Sequence, residues 1–213
     1  MSQSSELAGA VGPGIGRSVD FPPRVTIIDE GEPARAIYRV VSGEVMISKL
    51  LPDGRRQIFE VLRPGGIFGV TPNGHHDSVA ESLTDVRLTV FEKGQAERSS
   101  AFNSLVGDLL KVQICALHEH AVLLGRKSAV ERVASYILDL IEARYPGELP
   151  SAGELSVRVL MTRSEIADYL GLTLETVSRA FSQLKRDGII AYERHDGLMR
   201  VVLRRLRPLT GTY

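Results

Sequence analysis

Residues 162–190 read TRSEIADYLGLTLETVSRAFSQLKRDGII, and they decide the fold of the C-terminal part of this chain. Thr162 followed three residues later by Glu165 forms a capping box, so a first helix starts there. Ile166, Ala167 and Leu170 recur at helical spacing, and Gly171 supplies the permissive backbone that ends the helix. Thr173 caps a second helix whose apolar residues Val177, Ala180, Phe181 and Leu184 share one face. The other face carries Glu175, Ser178, Arg179, Gln183 and Lys185. Two short helices joined by a tight Gly-containing turn are the layout of a DNA-reading helix-turn-helix. Arg bonds a guanine edge bidentately and Glu accepts from a cytosine amino group, so this polar N-terminal face suits a major groove. The plain alternative is a helical hairpin whose charges only solvate its outer face. Against it stand four coinciding signals: the capping box, the Gly in the turn, the small Ala167 where helices must approach, and the polar helix start. Residues 189–203, IIAYERHDGLMRVVL, add two strands around the turn signal His195-Asp196-Gly197, which reads as a wing beside the groove.

TRSEIADYLGL followed by LETVSRAFSQLKRDGII resembles the DNA-binding domain of the CRP/FNR superfamily of bacterial transcription regulators. Glu175-Thr-Val-Ser178-Arg179 is similar to the E-x-x-S-R pattern of its FNR and FixK branch, whereas the cAMP-receptor branch usually has Gly where Ser178 stands. The resemblance extends over roughly residues 20–205, specific in the last fifty and carried upstream by glycine spacing. It implies an α+β chain: a cyclic-nucleotide-binding-like β-roll, a long dimerisation helix and a C-terminal winged helix-turn-helix. It also implies that the chain is a homodimer binding double-stranded DNA, with a half-site like TTGAT. In that register Arg179 reads a guanine, Glu175 the opposite strand, Ser178 the outer thymine, and Leu174 touches a thymine methyl. Thr162, Arg163, Thr173, Thr176 and Lys185 then position the phosphate backbone.

The rest of the chain divides into three parts. Residues 1–20 read as a flexible polar lead with no signal-peptide pattern. Residues 21–96 alternate short apolar runs with turn signals at Gly31, Gly43, Gly54, Pro64-Gly65-Gly66 and Gly69, and Pro52-Asp53-Gly54 is a strong hairpin turn. Alone they say antiparallel barrel or roll; the resemblance makes this the sensor-like β-roll. Residues 97–126 are a long helix in which Leu110, Ile114, Leu117, Ala121 and Leu124 step by four and three as a coiled-coil seam. Leu109, Val112, Cys115 and Ala116 point elsewhere and would pack on the roll. Residues 127–213 are the DNA-binding domain, and the hinge is expected at Gly125-Arg126-Lys127-Ser128.

Composition sets outer bounds. The 213 residues suffice for two modest domains. The 26 basic and 26 acidic side chains give no global pull on polyanions. Residues 1–145 hold 16 Lys/Arg and 18 Asp/Glu, a net of −2, while residues 146–213 hold 10 and 8, a net of +2. The small asymmetry points DNA to the C-terminal part. No apolar run is long enough to span a membrane, so a cytoplasmic location is expected. There is no Gly-rich phosphate loop, nucleophile elbow or metal-spaced His/Glu pair, so an enzyme is not expected.

The effector question is read from FGVTPNGHHDSVAES, residues 68–82. Cyclic-nucleotide-binding relatives place a Glu for the ribose and an Arg-Ser or Arg-Thr pair for the phosphate here. This chain has no Glu after Gly69, and Asp77 precedes Ser78, where a carboxylate would repel a phosphodiester. A single cysteine, Cys115, cannot hold a four-cysteine iron–sulfur cluster and forms no intramolecular disulfide. Cys115 is expected to be a small buried apolar residue, with a redox switch as the alternative. His75, His76, His118 and His120 are each conceivable haem ligands, which leaves an effector-gated regulator of the same fold as the rival. The expectation is a regulator with no cofactor and no metal, FixK-like and an activator. RNA polymerase is then a partner through residues 150–158 and the Asp53-Gly54 turn; an operator overlapping the promoter would make it a repressor instead. Such a context implies genes for low-oxygen respiration or nitrogen metabolism.

Overall fold

The computed structural model describes residues 16–96, 98–147, 149, 153–192 and 198–211. They fall into two compact units, one running through His118 and the other from Glu119 onward.

The first unit is a sandwich of two four-stranded antiparallel sheets. Its strands are β1 Arg17–Phe21, β2 Thr26–Ile28, β3 Ala36–Ser42, β4 Val45–Leu50, β5 Arg56–Leu62, β6 Ile67–Phe68, β7 Val79–Ser82 and β8 Val86–Glu92. One sheet has the order β1-β8-β3-β6 and the other β2-β7-β4-β5. Alternate residues point inward, as a half-buried sheet requires, so Val45, Ile47, Leu62, Ala80, Val86, Leu88 and Val90 form one core between the sheets. Glycine is required where β3 turns into β4. Gly43 sits at φ 85°, and a Cβ there would collide with the carbonyl oxygen of Asp85. The Pro52-Asp53-Gly54 turn forms as expected: Gly54 N–H donates to the Leu51 carbonyl at 2.9 Å, and the Asp53 carboxylate accepts from Arg55 N–H at 3.1 Å.

The sheet begins earlier than a polar lead ending at residue 20 would allow. Strand β1 pairs with β8 from Arg17 opposite Val90 to Phe21 opposite Val86. Its facing pair Asp20 and Arg87 is bidentate, Nε to Oδ1 at 2.7 Å and Nη2 to Oδ2 at 3.2 Å, while Val19 and Phe21 pack on the core.

After α1 (Lys93–Ala96) comes α2, a single 27-residue helix over Ser100–Arg126. Phe102 is buried against Ile37, Ile67 and Phe91, with Val106, Leu109 and Leu110 alongside. Gln113 continues the contact. Its side-chain amide donates to the Ile67 carbonyl and to Glu60 Oε1, each at 3.0 Å, and its oxygen accepts from Ile67 N–H at 3.4 Å. Burial there raises the Glu60 carboxyl above its ordinary pKa, against the pull of the Gln113 bond.

The second unit takes in the end of α2. It adds α3 (Ala129–Arg144), β9 (Glu154–Arg158), α4 (Arg163–Leu170), α5 (Leu174–Arg186), β10 (Ile190–Tyr192), β11 (Leu198–Val202), α6 (Leu203–Leu206) and a closing 3₁₀ turn, Arg207–Thr210. Its sheet has the order β10-β11-β9, all antiparallel. Val133, Ile137, Ile141, Ile166, Leu170, Val177, Leu184, Met199, Val201 and Leu203 are its buried core. Ser128 and Glu131 close a capping box on α3. The break between units thus falls within α2, upstream of Gly125. Two contacts explain why. Arg132 donates to the Leu124 carbonyl at 2.6 Å, the Lys127 carbonyl at 2.9 Å and the Leu170 carbonyl at 2.9 Å, satisfying terminal carbonyls of both α2 and α4 with one side chain. His120 is buried with its ring stacked on Tyr169 at 4.4 Å.

Candidate nucleic-acid interface

The reading element is built by its caps. Thr162 Oγ1 accepts from Glu165 N–H at 3.2 Å, and Glu165 Oε2 accepts from Thr162 N–H at 2.7 Å, so two of the unsatisfied donors that begin α4 are satisfied reciprocally. Gly171 ends α4 at φ 60°, ψ 41°, the left-handed conformation that glycine adopts without a Cβ clash. Thr173 opens α5 by accepting from Thr176 N–H at 3.2 Å, and the two hydroxyls bond each other at 2.8 Å. Ile166, Ala167 and Leu170 of α4 and Val177, Ala180, Phe181 and Leu184 of α5 are buried in the core of the unit.

That burial leaves Leu174, Glu175, Ser178 and Arg179 outward at the start of α5. Arg179 Nη2 lies 3.1 Å from Glu175 Oε1, one helical turn back, with the two side chains 70% and 76% exposed. An exposed i,i+4 pair is worth only about 0.3–0.5 kcal/mol, so both groups are released at little cost for a better partner. Ser178 keeps its hydroxyl outward, and its carbonyl accepts from Ser182 Oγ at 2.8 Å. Thr162 and Thr173 are exposed while spending an acceptor on their caps. Lys185 lies eleven residues beyond Leu174, about 16 Å along the axis, and is exposed in the last turn.

Arg163 departs from the expectation of a freely extended backbone contact. Its guanidinium lies 3.5 Å from the centre of the Phe181 ring and donates through Nη2 to the hydroxyl of Tyr192. The sequence does not mark Tyr192: its partner Arg163 stands 29 residues away in the chain, and no local signal joins the two. The turn His195-Asp196-Gly197 lies outside the described residues, but the strands on either side of it pair, Ile190 opposite Val201 and Tyr192 opposite Met199.

The expected seam of α2 is only partly open. Leu110 packs with the roll cluster and Leu124 is half-buried beside Gly171, whereas Ile114, Leu117 and Ala121 are exposed. Val112, Cys115 and Ala116 do not face the roll as expected; Val112 is 69% exposed and Cys115 is exposed too. Gln113 still bonds the roll; Cys115 points away from it, and Ala116, on the flank of Leu109 two turns further on, is already exposed.

In the loop where a phosphate would sit, Asp77 Oδ1 accepts from Ser78 Oγ at 3.2 Å, and Lys49 Nζ is held by the Asp77 carbonyl at 2.9 Å and by Glu30 at 3.2 Å. His76 is buried; its backbone N–H donates to the Glu32 carbonyl, while His75 is bridged to Pro33. Among the described residues no group of three or more His, Cys, Asp or Glu side chains could hold a metal ion, and no helix is long and apolar enough to cross a membrane.

A Crp-like helix-turn-helix domain matches residues 131–209 and a cyclic nucleotide-binding domain residues 18–99. The nitrogen fixation regulation protein FixK of Bradyrhizobium diazoefficiens is 37% identical over 181 residues, 83% of this chain and 75% of the relative. The chain belongs to the CRP/FNR family of transcription regulators. FixK of Rhizobium meliloti is 36% identical over 80% of this CRP/FNR chain and 76% of its own. The solved structure of FixK2 from Bradyrhizobium japonicum superimposes with a TM-score of 0.78 at 32% identity, covering 93% of this chain and 99% of that one. The protein is thus a FixK-like, DNA-binding regulator and not an enzyme, with the α+β architecture of the family.

Proposed function

We propose that this CRP/FNR regulator is a homodimeric activator that recognises a TTGAT-N4-ATCAA-like palindrome without cyclic nucleotide or an iron–sulfur cluster. The observation that carries this is the N-terminal face of α5: Leu174, Glu175, Ser178 and Arg179 are outward, weakly engaged and set on a capped, buried helix-turn-helix. Arg179 reads a guanine, Glu175 the opposite strand, Ser178 the outer thymine and Leu174 a thymine methyl. Thr162, Thr173, Thr176 and Lys185 hold the phosphate backbone. Dimerisation through α2 is supported by the uncovered aliphatic stripe at Ile114, Leu117 and Ala121, with Leu110 and Leu124 at its two ends. A two-fold dimer would set two recognition helices about one DNA turn apart.

Ligand independence is supported by the loop at residues 70–78, where Asp77 takes the place of a phosphate-binding cation and Lys49 is already paired. An activator contacts RNA polymerase. The Asp53-Gly54 turn and the described part of residues 150–158, from Gly153, are the surfaces offered, and such a regulator works in the cytoplasm. The relatives named for nitrogen fixation suggest target genes of low-oxygen or nitrogen metabolism. Cys115, exposed next to Ile114, is the residue through which oxidation would reach the dimer.

The test is a mobility shift of the purified reduced protein on a labelled TTGAT-N4-ATCAA duplex, with and without cAMP. Tight, salt-sensitive and cAMP-indifferent binding is expected. Binding that appears only when a ligand is added would assign the roll a working sensor role and overturn the ligand-free part of the proposal.

A further inference from the structure

We propose that Tyr192 donates its phenolic hydroxyl to a DNA phosphate at the edge of the major groove, and that Arg163 is the residue positioning it. This rests on α5 being the DNA-reading helix.

Tyr192 closes β10 at the root of the wing. Its ladder partner Met199 is fully buried, while Tyr192 itself is 42% exposed. Arg163 is the first residue of α4, directly after the capping Thr162. Its guanidinium is laid on the Phe181 ring at 3.5 Å, with the Tyr192 ring 5.7 Å away, and bonds the Tyr192 oxygen. Phe181 follows Ser178 by three residues on α5, and residues so spaced share a flank of a helix. The Arg163–Tyr192 pair therefore stands beside the Ser178 flank of the reading face, to the side of the groove floor. A backbone phosphate, rather than a base edge, is the DNA group found at that place.

The direction of the bond matters. A guanidinium only donates, so the Tyr192 oxygen is the acceptor and its own O–H is left over. Burial holds the Tyr192 pKa above its ordinary value despite the opposing pull of Arg163, which keeps that proton in place at neutral pH. A donor with its oxygen fixed from behind suits an acceptor-only ligand, and phosphate is one. The simpler role, pinning the wing to α4, does not need the hydroxyl: the guanidinium also lies over the Tyr192 ring, 5.7 Å from its centre.

The full-length variant Tyr192→Phe keeps the ring and deletes only the hydroxyl. We expect binding about two- to tenfold weaker, the range of one hydrogen bond, on the TTGAT duplex and on a scrambled duplex alike. Preference between the two duplexes and the salt slope should stay unchanged, because no base contact and no charge is lost. A scan with single neutral methylphosphonates then locates the contact. One position per half-site should weaken the wild type but cost Tyr192→Phe nothing further, and Arg163→Lys should be non-additive with Tyr192→Phe. Unaltered binding by Tyr192→Phe would overturn the assignment, as would a variant that every methylphosphonate weakens just as it weakens the wild type. A wild type that binds neither duplex would overturn this assignment together with the DNA-reading role of α5; wild-type binding with an unaffected variant would overturn this assignment alone.

Discussion

Two helices of this protein leave a face uncovered, and the two faces differ in kind. On α5 the open side chains are Glu175, Ser178 and Arg179, all exposed, with Glu175 and Arg179 loosely paired. On α2 they are aliphatic, with Ile114 50% and Leu117 38% exposed. An apolar face is stabilised by about 25 cal/mol for every Å² it hides, and almost any matching apolar surface will do. A polar face gains nothing from burial as such; it gains when a partner presents acceptors and donors in register. The helix fold is common to both, so in the proposed function what differs is the partner each face would select: a like surface for α2, a patterned polyanion edge for α5.

Breaking the apolar face should have the larger consequence. Ile114→Glu combined with Leu117→Glu places two carboxylates where two copies would meet. A monomer in sedimentation is expected, with operator affinity reduced more than about a hundredfold because the two half-sites are no longer bound by one particle. A dimeric variant of full affinity would place the interface elsewhere. Breaking the polar face is a local loss by comparison. Arg179→Ala should cost about 1–3 kcal/mol of specific binding and relax selectivity at one base, leaving the dimer intact. Its melting temperature should hardly move, since the Glu175 pair it breaks is exposed. Undiminished preference for TTGAT over a scrambled site would remove Arg179 from the reading role.

The polar face was also the more legible of the two. Thr162, Glu165, Gly171 and Thr173 act over three or four residues, and caps of that range are written locally. The roll was legible from its turns, Pro52-Asp53-Gly54 above all, but β1 was hidden: its pairing partner β8 starts 65 residues later, at Val86, and RSVDF alone reads as polar lead. The open side of α2 was misread in part, because periodicity sorts side chains into faces without saying which face meets the roll. The pattern groups Leu109, Val112, Cys115 and Ala116 towards the roll; Leu109 does pack there, with Leu110 and Gln113, while Val112, Cys115 and Ala116 are exposed. Arg163, directly after a cap, reads as a cation for phosphate, and only the fold shows it stacked on Phe181.

A smaller effect sharpens how α5 is held in place. Thr162→Ala removes the hydroxyl half of the capping box on α4, and a lost cap of this type costs about 0.5–2 kcal/mol. Denaturant melts should show that loss in the second unit, while preference for TTGAT stays as in the wild type, because the side chains of α5 are untouched. A changed preference would mean that Thr162 helps to set which base is read.

The smallest expected effect concerns the join between the end of α2 and α4. His120 is buried with its ring stacked on Tyr169 at 4.4 Å. Burial lowers its pKa, outweighing the opposing influences of the Tyr169 backbone and of Asp139 on α3; Tyr136 of α3 stands edge-on to the same Tyr169 ring. The folded chain therefore resists a proton that the unfolded chain accepts near its ordinary value of about 6.5. The stability this group contributes is present above that value and is lost as pH falls below it towards the folded pKa. His120→Phe keeps a ring on Tyr169 and cannot titrate. Urea melts at pH 7.5 and 5.5 should show the wild type losing more stability on acidification than His120→Phe. The shifted groups His76, Glu60 and Glu142 are common to both proteins and cancel in the difference. Equal losses would mean that His120 is protonated in place and that water reaches its ring.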